Sequence, residues 1–252
     1  MISWFNKDLI FISILAIVGI ICFGFIGIMK KKNKVPIELH SFLTVGALYY
    51  GMYSENLGGA DVNKLKSAIN NKNFIIKKLN EHWGIVSKED AVKMIMAGIN
   101  GEIQANYIDG NLTELETLID IKQCIKNINK VISEDFYSAY AWDLERAAML
   151  VRDSYGIGLL NEEETFDYLK QIIFKAQVNF ESWEQYAVSF LVGRIIWLNL
   201  EYIESGEKLT TEDFTFYEYI GLLFGKKILK FNISKTTEYA LWKNYPLKEI
   251  EI

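Results

Sequence analysis

The sequence predicts an all-α fold, a multi-helix globular domain preceded by one N-terminal transmembrane helix. Three observations indicate this class. Proline occurs only at Pro36 and Pro246, apolar residues between them recur at helical spacing, and one uncharged apolar run lies near the N-terminus. With 252 residues, 50% of them hydrophobic, the chain is long enough to bury a core.

The apolar run covers residues 9–29 and holds 21 residues without a charge. A helix rises about 1.5 Å per residue, so a run of this length matches a hydrocarbon layer of about 30 Å. The run lacks the basic start and the small-residue cleavage site of a signal peptide. We therefore expect a single-pass span in the cell membrane, with residues 1–8 as a short outer N-terminus and the bilayer as a partner of residues 9–29.

Four lysines lie within residues 30–36, directly after the run, and form a predicted basic juxtamembrane linker. Positive flanks stay in the cytoplasm, so residues 37–252 are expected to form a cytosolic α-helical domain. Residues 1–35 contribute +4 to the formal charge of −5, which leaves −9 on the rest of the chain. This acidic balance favours a basic protein over nucleic acid as a partner.

Four helix starts are predicted by a cap residue that lies three positions before a carboxylate. These pairs are Ser87 with Asp90, Thr113 with Glu116, Asn161 with Glu164, and Thr210 with Asp213. From residue 161 to residue 180 the apolar side chains fall on one side of a helix, as in an ordinary amphipathic helix. Turns are predicted at Asp109-Gly110 and at residues 204–206, which separate blocks near 37–109, 111–205 and 207–252.

Residues 186–200 form a second apolar run, with Arg194 at its middle. Fifteen residues are too few to cross a bilayer, so this run predicts a buried helix with a paired arginine. A weak repeat is also visible, since residues 82–95 and 154–169 both contain an aromatic residue, a glycine, a cap residue, acidic residues and an apolar helix. The repeat predicts two copies of one helix–turn–helix unit with unequal spacers.

Four segments carry a resemblance to a known family. They are LTVGALYYGMYSE, HWGIVSKEDAVKMI, AWDLERAAMLVRDSYGIGLLNEEETFDYL and FESWEQYAVSFLVGRIIW. Together they resemble the bacterial domain-of-unknown-function family numbered 1266, over a core of residues 39–200. The resemblance implies a mostly helical domain with no agreed activity, to which the membrane span looks like an addition. The chain departs from the family at Glu145, where a glycine usually precedes the arginine.

The charged and aromatic residues of these segments form the candidate site. Asp143 and Arg146 lie three apart on one helix face beside Trp142, so an ion pair over an indole is expected. Arg194 needs a carboxylate, for which Asp143, Glu145 and Glu184 are candidates. Either Asp143, Arg146 and Arg194 form a buried polar knot between two helices, or they line a cleft that receives an anionic ligand. The candidate ligand-binding residues are Trp142, Asp143, Arg146, Arg194 and Trp183.

Catalytic motifs are missing from the sequence. It contains no nucleophile elbow, no phosphate-binding loop and no His-Glu-x-x-His motif. The two histidines, His40 and His82, are far apart in sequence, so neither a metal centre nor a cofactor is expected. We expect a membrane-anchored cytosolic module that binds a protein, of accessory or immunity type. The alternative is an enzyme that acts on an anionic substrate through the Asp/Arg cluster.

Overall fold

The structure is a computed structural model, and it describes residues 37–48, 72–110, 138–205, 242 and 245–252. The chain divides into two units, Met1–Pro36 and Ile37–Ile252, and every described residue belongs to the second. The predicted membrane span and the predicted helix starts at Thr113 and Thr210 lie outside the described residues.

All regular structure in the described ranges is helical, and these ranges contain no strand. The α-helices are α1 (Lys72–Trp83), α2 (Lys88–Ile99), α3 (Ala105–Gly110), α4 (Tyr140–Ile157), α5 (Glu162–Asn179) and α6 (Trp183–Ser205). Two 3₁₀ helices span Ile37–Leu43 and Leu247–Glu249. The described domain is therefore all-α, as predicted.

Two turns, between α1 and α2 and between α4 and α5, share one geometry. Gly84 follows α1 with φ +63°, and Gly158 follows α4 with φ +90°, a left-handed conformation that favours glycine. Three residues after each glycine comes a complete capping box, which begins at Ser87 in one turn and at Asn161 in the other. The two turns are therefore alike, and in both of them the capping box begins three residues after the glycine, which pairs Gly84 with Gly158 rather than with Gly156. The repeat of a whole helix–turn–helix unit stays a prediction.

Helix α4 is central among the described helices, since it packs against each of the other five. Every residue from Ala141 to Ser154 is buried, so α4 has no face in water over these residues. Its first turn is capped by α6, where the buried Ser189 hydroxyl accepts a hydrogen bond from the Ala141 N–H at 2.9 Å. The same turn is tied to α2 by the Tyr140 hydroxyl, which donates to the Ile99 carbonyl.

Two glycines allow α4 to be approached closely. A Cβ added to Gly98 of α2 would lie 2.9 Å from Cβ of Ala147. A Cβ added to Gly193 of α6 would lie only 2.4 Å from Cβ of Trp142, which is shorter than any ordinary carbon–carbon contact. Both helices therefore pack on α4 at a distance that only glycine permits.

The burial predicted from the sequence patterns of α5 and α6 is confirmed. The apolar side of α5 is buried, as predicted, from Phe166 to Phe180. The apolar run in α6 packs against α4, and its side chains from Tyr186 to Phe190 are buried, as expected for a core helix. Among the helices that the structure describes, none combines the length and the apolarity needed to cross a membrane.

One turn prediction was wrong. Asp109 and Gly110, predicted to form a turn, are the last two residues of α3. This short helix forms because its first N–H groups are capped from α4 and because Asp109 itself accepts a hydrogen bond from the Ala139 N–H at 2.8 Å. Neither contact is local in sequence.

Candidate functional site

The buried helix α4 carries five charged side chains, although a charge buried without a partner costs several kcal/mol. They are Asp143, Glu145, Arg146, Arg152 and Asp153. All five are less than a tenth exposed. Where their partners lie therefore decides whether this helix forms a site or a structural core.

The Asp143 carboxylate caps the beginning of α3. Its Oδ2 accepts hydrogen bonds from the backbone N–H groups of Gln104 at 2.8 Å and of Ala105 at 2.9 Å. Its Oδ1 makes no hydrogen bond and lies 3.9 Å from Nη1 of Arg146. Burial raises the pKa of Asp143 above its ordinary value, although the two N–H groups and Arg146 act in the opposite direction.

The guanidinium of Arg146 is surrounded by three indole rings. Its Cζ lies 4.4 Å from the ring centroid of Trp142, 5.5 Å from that of Trp197 and 5.6 Å from that of Trp83. We call Arg146 and these three tryptophans the Arg146 cage. Arg146 is 7% exposed, whereas Trp197 is 38% exposed and forms an edge of the cage that reaches the surface. Cation–π attraction is strongest for such a desolvated arginine, at about 2 kcal/mol.

Gln104 joins the cage to the capped turn. Its side-chain Oε1 accepts hydrogen bonds from Arg146 Nη1 at 2.9 Å and from Trp142 Nε1 at 3.3 Å, while its backbone N–H is bound by Asp143. The ion pair over an indole, predicted from spacing alone, is therefore completed by a residue from another helix start. Gln104, Trp83 and Trp197 were not predicted at this site, because each reaches Arg146 from a segment that is distant in sequence, and no local spacing indicates such a contact.

Arg194 follows Gly193 on α6, and its side chain is half-buried. Both hydrogen bonds described for Asp143 come from backbone N–H groups at the start of α3, those of Gln104 and Ala105. Pairing of Arg194 with Asp143, Glu145 or Glu184 stays a prediction.

Glu145 ties two distant segments to α4. Its Oε1 accepts hydrogen bonds from the Gly46 N–H at 2.8 Å and from the Tyr186 hydroxyl at 2.9 Å. Burial, and next the charge of Glu145, raise the pKa of Tyr186 well above its ordinary value, which keeps the hydroxyl protonated as a donor. Glu145 thus holds the segment around Gly46 and helix α6 together on α4.

A second buried ion pair lies at the other end of α4. Lys78 of α1 places its Nζ 2.6 Å from Oδ2 of Asp153, and the same Nζ lies 3.4 Å from the sulfur of Met149. The side chain of Asp153 is fully buried, and that of Lys78 is 17% exposed. This pair fixes α1 on α4.

Trp183 is the remaining predicted site residue. Its described ring contacts are with residues outside the Arg146 cage. Its ring stacks on Trp242 with a centroid distance of 4.9 Å and meets Tyr186 edge to face. Its Nε1 donates to the Tyr245 carbonyl at 2.8 Å. The structure therefore brings together Trp142, Asp143 and Arg146 and places Trp183 against the C-terminal segment.

The chemistry of this arrangement is that of a closed polar core. The carboxylates of Asp143 and Glu145 accept hydrogen bonds from backbone or tyrosine donors, and Arg146 is covered by indole rings. Within the ranges that the structure describes, no three His, Cys, Asp or Glu side chains are grouped so that they would hold a metal ion.

Comparison with known proteins identifies one family. The family model described as "Protein of unknown function (DUF1266)" matches residues 78–219. This range contains three of the four segments that carried the resemblance, while LTVGALYYGMYSE precedes it. Neither a curated protein nor a solved structure matches the chain. Because the family model covers more than half of the sequence, the chain belongs to the DUF1266 family of proteins of unknown function.

Proposed function

We propose that this chain is a membrane-tethered helical module on the cytoplasmic face, of accessory or immunity type, which binds a basic protein partner. In this proposal the charged residues of α4 hold the fold and are not a reaction centre. The supporting observation is the closure of the Asp143–Arg146 pair, in which the carboxylate is 0% exposed and its hydrogen bonds come from backbone N–H groups.

The alternative, an enzyme with Arg146 or Arg194 as an anion clamp and Asp143 or Glu145 as acid or base, would need these groups to meet a substrate. Asp143 and Glu145 are fully buried. A general acid or base must lie within hydrogen-bond reach of the group that it serves, so a substrate would first have to separate α4 from its neighbours. The geometry therefore counts against a reaction centre at Asp143 and Glu145.

The charge of the chain supports the kind of partner. The N-terminal ends of α2 and α5 lie side by side, joined by the ion pair of Lys88 with Glu164. Both ends are rich in carboxylates that face water, among them Glu89, Glu162 and Glu163. With a formal charge of −9 after residue 35, such a surface attracts a basic partner and repels nucleic acid.

Closure of the charged core is tested by carboxyl labelling of the native full chain. A water-soluble carbodiimide with an amine nucleophile should label the exposed Glu162 and Glu163 and leave Asp143 and Glu145 unlabelled until the chain is denatured in urea. Peptide mass mapping reports each site. Labelling of Asp143 in the native chain at the rate of Glu162 would support the enzyme instead.

The tether is tested separately by fractionation. The full chain should stay with membranes through an alkaline carbonate wash, and a chain without residues 9–29 should be released. Protease added outside intact cells should leave residues 37–252 uncut. Digestion of this domain from outside, or recovery of the full chain in the soluble fraction, would overturn the membrane part of the proposal.

A further inference from the structure

The outer side of the Arg146 cage presents the edges of two indole rings. Trp83 is half-buried and Trp197 is 38% exposed, whereas Arg146 itself is only 7% exposed. The ring centroids of both tryptophans lie within 5.6 Å of the Arg146 Cζ. Because the two rings adjoin the same guanidinium, a ligand that contacts one of them lies within reach of the other.

The side-chain polar groups left open at this surface are hydrogen-bond donors. Oε1 of Gln104 accepts from Arg146 and Trp142, while Nε2 of Gln104 makes no hydrogen bond within the described ranges. Nε1 of Trp83 and Nε1 of Trp197 likewise have no acceptor there. Neither Gln104 Nε2 nor Trp83 Nε1 is fully buried. The surface therefore offers indole rings and unpaired N–H groups, and it matches a ligand that supplies acceptors.

A proline-rich segment has this chemistry. Proline has no N–H, and a polyproline II helix makes no internal hydrogen bonds, so its carbonyl oxygens are open acceptors and its donors are few. Such segments bind to grooves lined by aromatic side chains, and they lose little conformational entropy because the helix is preformed. An ordinary extended segment carries an N–H at every residue, and the neighbouring Asp143 carboxylate, which is 0% exposed, does not meet it.

The composition of the chain indicates that this segment comes from another protein. The sequence contains two prolines, Pro36 and Pro246, so neither the chain nor a second copy of it supplies a proline-rich segment. The formal charge of −9 after residue 35 attracts basic residues and repels acidic ones. The matching occupant is therefore a proline-rich segment that also carries lysine or arginine.

We propose that the outer face of the Arg146 cage binds a proline-rich basic segment of a partner protein. Proline rings pack on Trp83 and Trp197, and a carbonyl of the segment accepts from Nε2 of Gln104. The inference rests on the proposed binding function and names the segment by which the partner is recognised. It leaves Asp143 buried, because the segment meets the cage only from the side on which Trp197 is exposed.

The test uses the full chain in mild detergent and two fluorescein-labelled peptides of equal charge, KKPPPPPPKK and KKGSGSGSKK. Fluorescence anisotropy measures the binding of each peptide. The dissociation constant of the proline peptide should be about tenfold lower than that of the glycine–serine peptide. The comparison separates recognition of proline from attraction between charges, because both peptides carry four lysines.

A single substitution then tests the donor. Gln104→Glu keeps an oxygen that accepts from Arg146 and Trp142 and removes the Nε2 donor, so it should weaken binding of the proline peptide about tenfold. The added negative charge attracts the lysines, so attraction between charges cannot cause this loss. Gln171→Glu, the same change at an exposed position of α5, should not weaken binding.

Equal binding of the two basic peptides by the wild type would overturn the proposal and leave a basic partner of the proposed function standing. Undiminished binding of the proline peptide by Gln104→Glu would also overturn it. If that variant loses the circular dichroism of the wild type, Trp197→Leu, which keeps an apolar side chain near Arg146, is measured by the same criterion. Tighter binding of EEPPPPPPEE than of KKPPPPPPKK would assign the cage to an anionic ligand and contradict the partner assignment.

Discussion

Gly193 of α6 lies against Trp142 of α4 so closely that a β-carbon on the glycine would lie 2.4 Å from Cβ and 2.8 Å from Cγ of the tryptophan. This contact sets the crossing of the two helices. It also places the ring centroid of Trp197 5.8 Å from that of Trp142, so that the two indoles form one side of the Arg146 cage.

Gly193→Ala should therefore lower the free energy of unfolding by about 1–3 kcal/mol, because the added methyl group forces α6 away from α4. Urea unfolding of the full chain in mild detergent measures the change. Gly110→Ala is the matched control, since a β-carbon there meets no atom within 4 Å among the residues that the structure describes. Equal stability of the Gly193→Ala variant and the wild type would show that α6 does not pack on Trp142 in this way.

Each of the two capping boxes should stabilise the start of its own helix. Ser87→Ala and Asn161→Ala each remove the side-chain acceptor of a first-turn N–H, so each should cost about 1 kcal/mol of stability. Amide hydrogen exchange should speed up at Asp90 in the first variant and at Glu164 in the second. Asn161→Asp keeps the acceptor and should behave like the wild type. Faster exchange spread over the whole domain would contradict a local role.

These caps also show what the sequence could predict. A capping box needs residues only three positions apart, and the apolar side of α5 follows from helical periodicity, so both were found from local pattern. Helix α3 and the place of Gln104 were not found. The cap of α3 comes from Asp143, which is 38 residues away from Ala105, and no local spacing carries such a contact.

The candidate site could likewise be predicted only where its contacts are local in sequence. Asp143, Arg146 and Trp142 are neighbours on one helix, so their meeting follows from the spacing of a helix. Which other tryptophans cover Arg146 depends on how α1 and α6 cross α4. Trp183 faces the C-terminal segment because its ring stacks on Trp242, a contact between residues 59 positions apart in the numbering.

Substitution of Glu145 tests how much its buried carboxylate stabilises the fold as a hydrogen-bond acceptor. Glu145→Ala leaves the Gly46 N–H and the Tyr186 hydroxyl without their acceptor, and each unsatisfied buried donor costs about 1–3 kcal/mol. Glu145→Gln keeps an oxygen at this place and should lose clearly less stability. Urea unfolding of both variants measures the difference. An alanine variant no less stable than the glutamine variant would mean that neither hydrogen bond matters.

The dependence of stability on pH tests the environment of Asp143. Its folded pKa is raised above the ordinary value of 3.8, so the folded state binds the proton more tightly than the unfolded state does. Stability contributed by this group is therefore present below pH 3.8 and is lost as the pH rises through the folded pKa.

The variant Asp143→Asn cannot titrate at this position. As the pH rises from 3.8 upwards, the wild type should lose stability relative to the variant, in urea unfolding at a series of pH values. A wild type that gains stability over the variant across this window would mean that the ion pair with Arg146 outweighs burial and lowers the pKa.

The most direct test of the central claim, that the charges of α4 hold the fold, is the stability of Asp143→Ala. Loss of the carboxylate removes the anion that lies 3.9 Å from Arg146 and takes the acceptor from the N–H groups of Gln104 and Ala105, so we predict a loss of about 3–5 kcal/mol in urea unfolding. Asp167→Ala, at an exposed position of α5, should change stability by less than about 0.5 kcal/mol. An Asp143→Ala variant as stable as this control would contradict the claim.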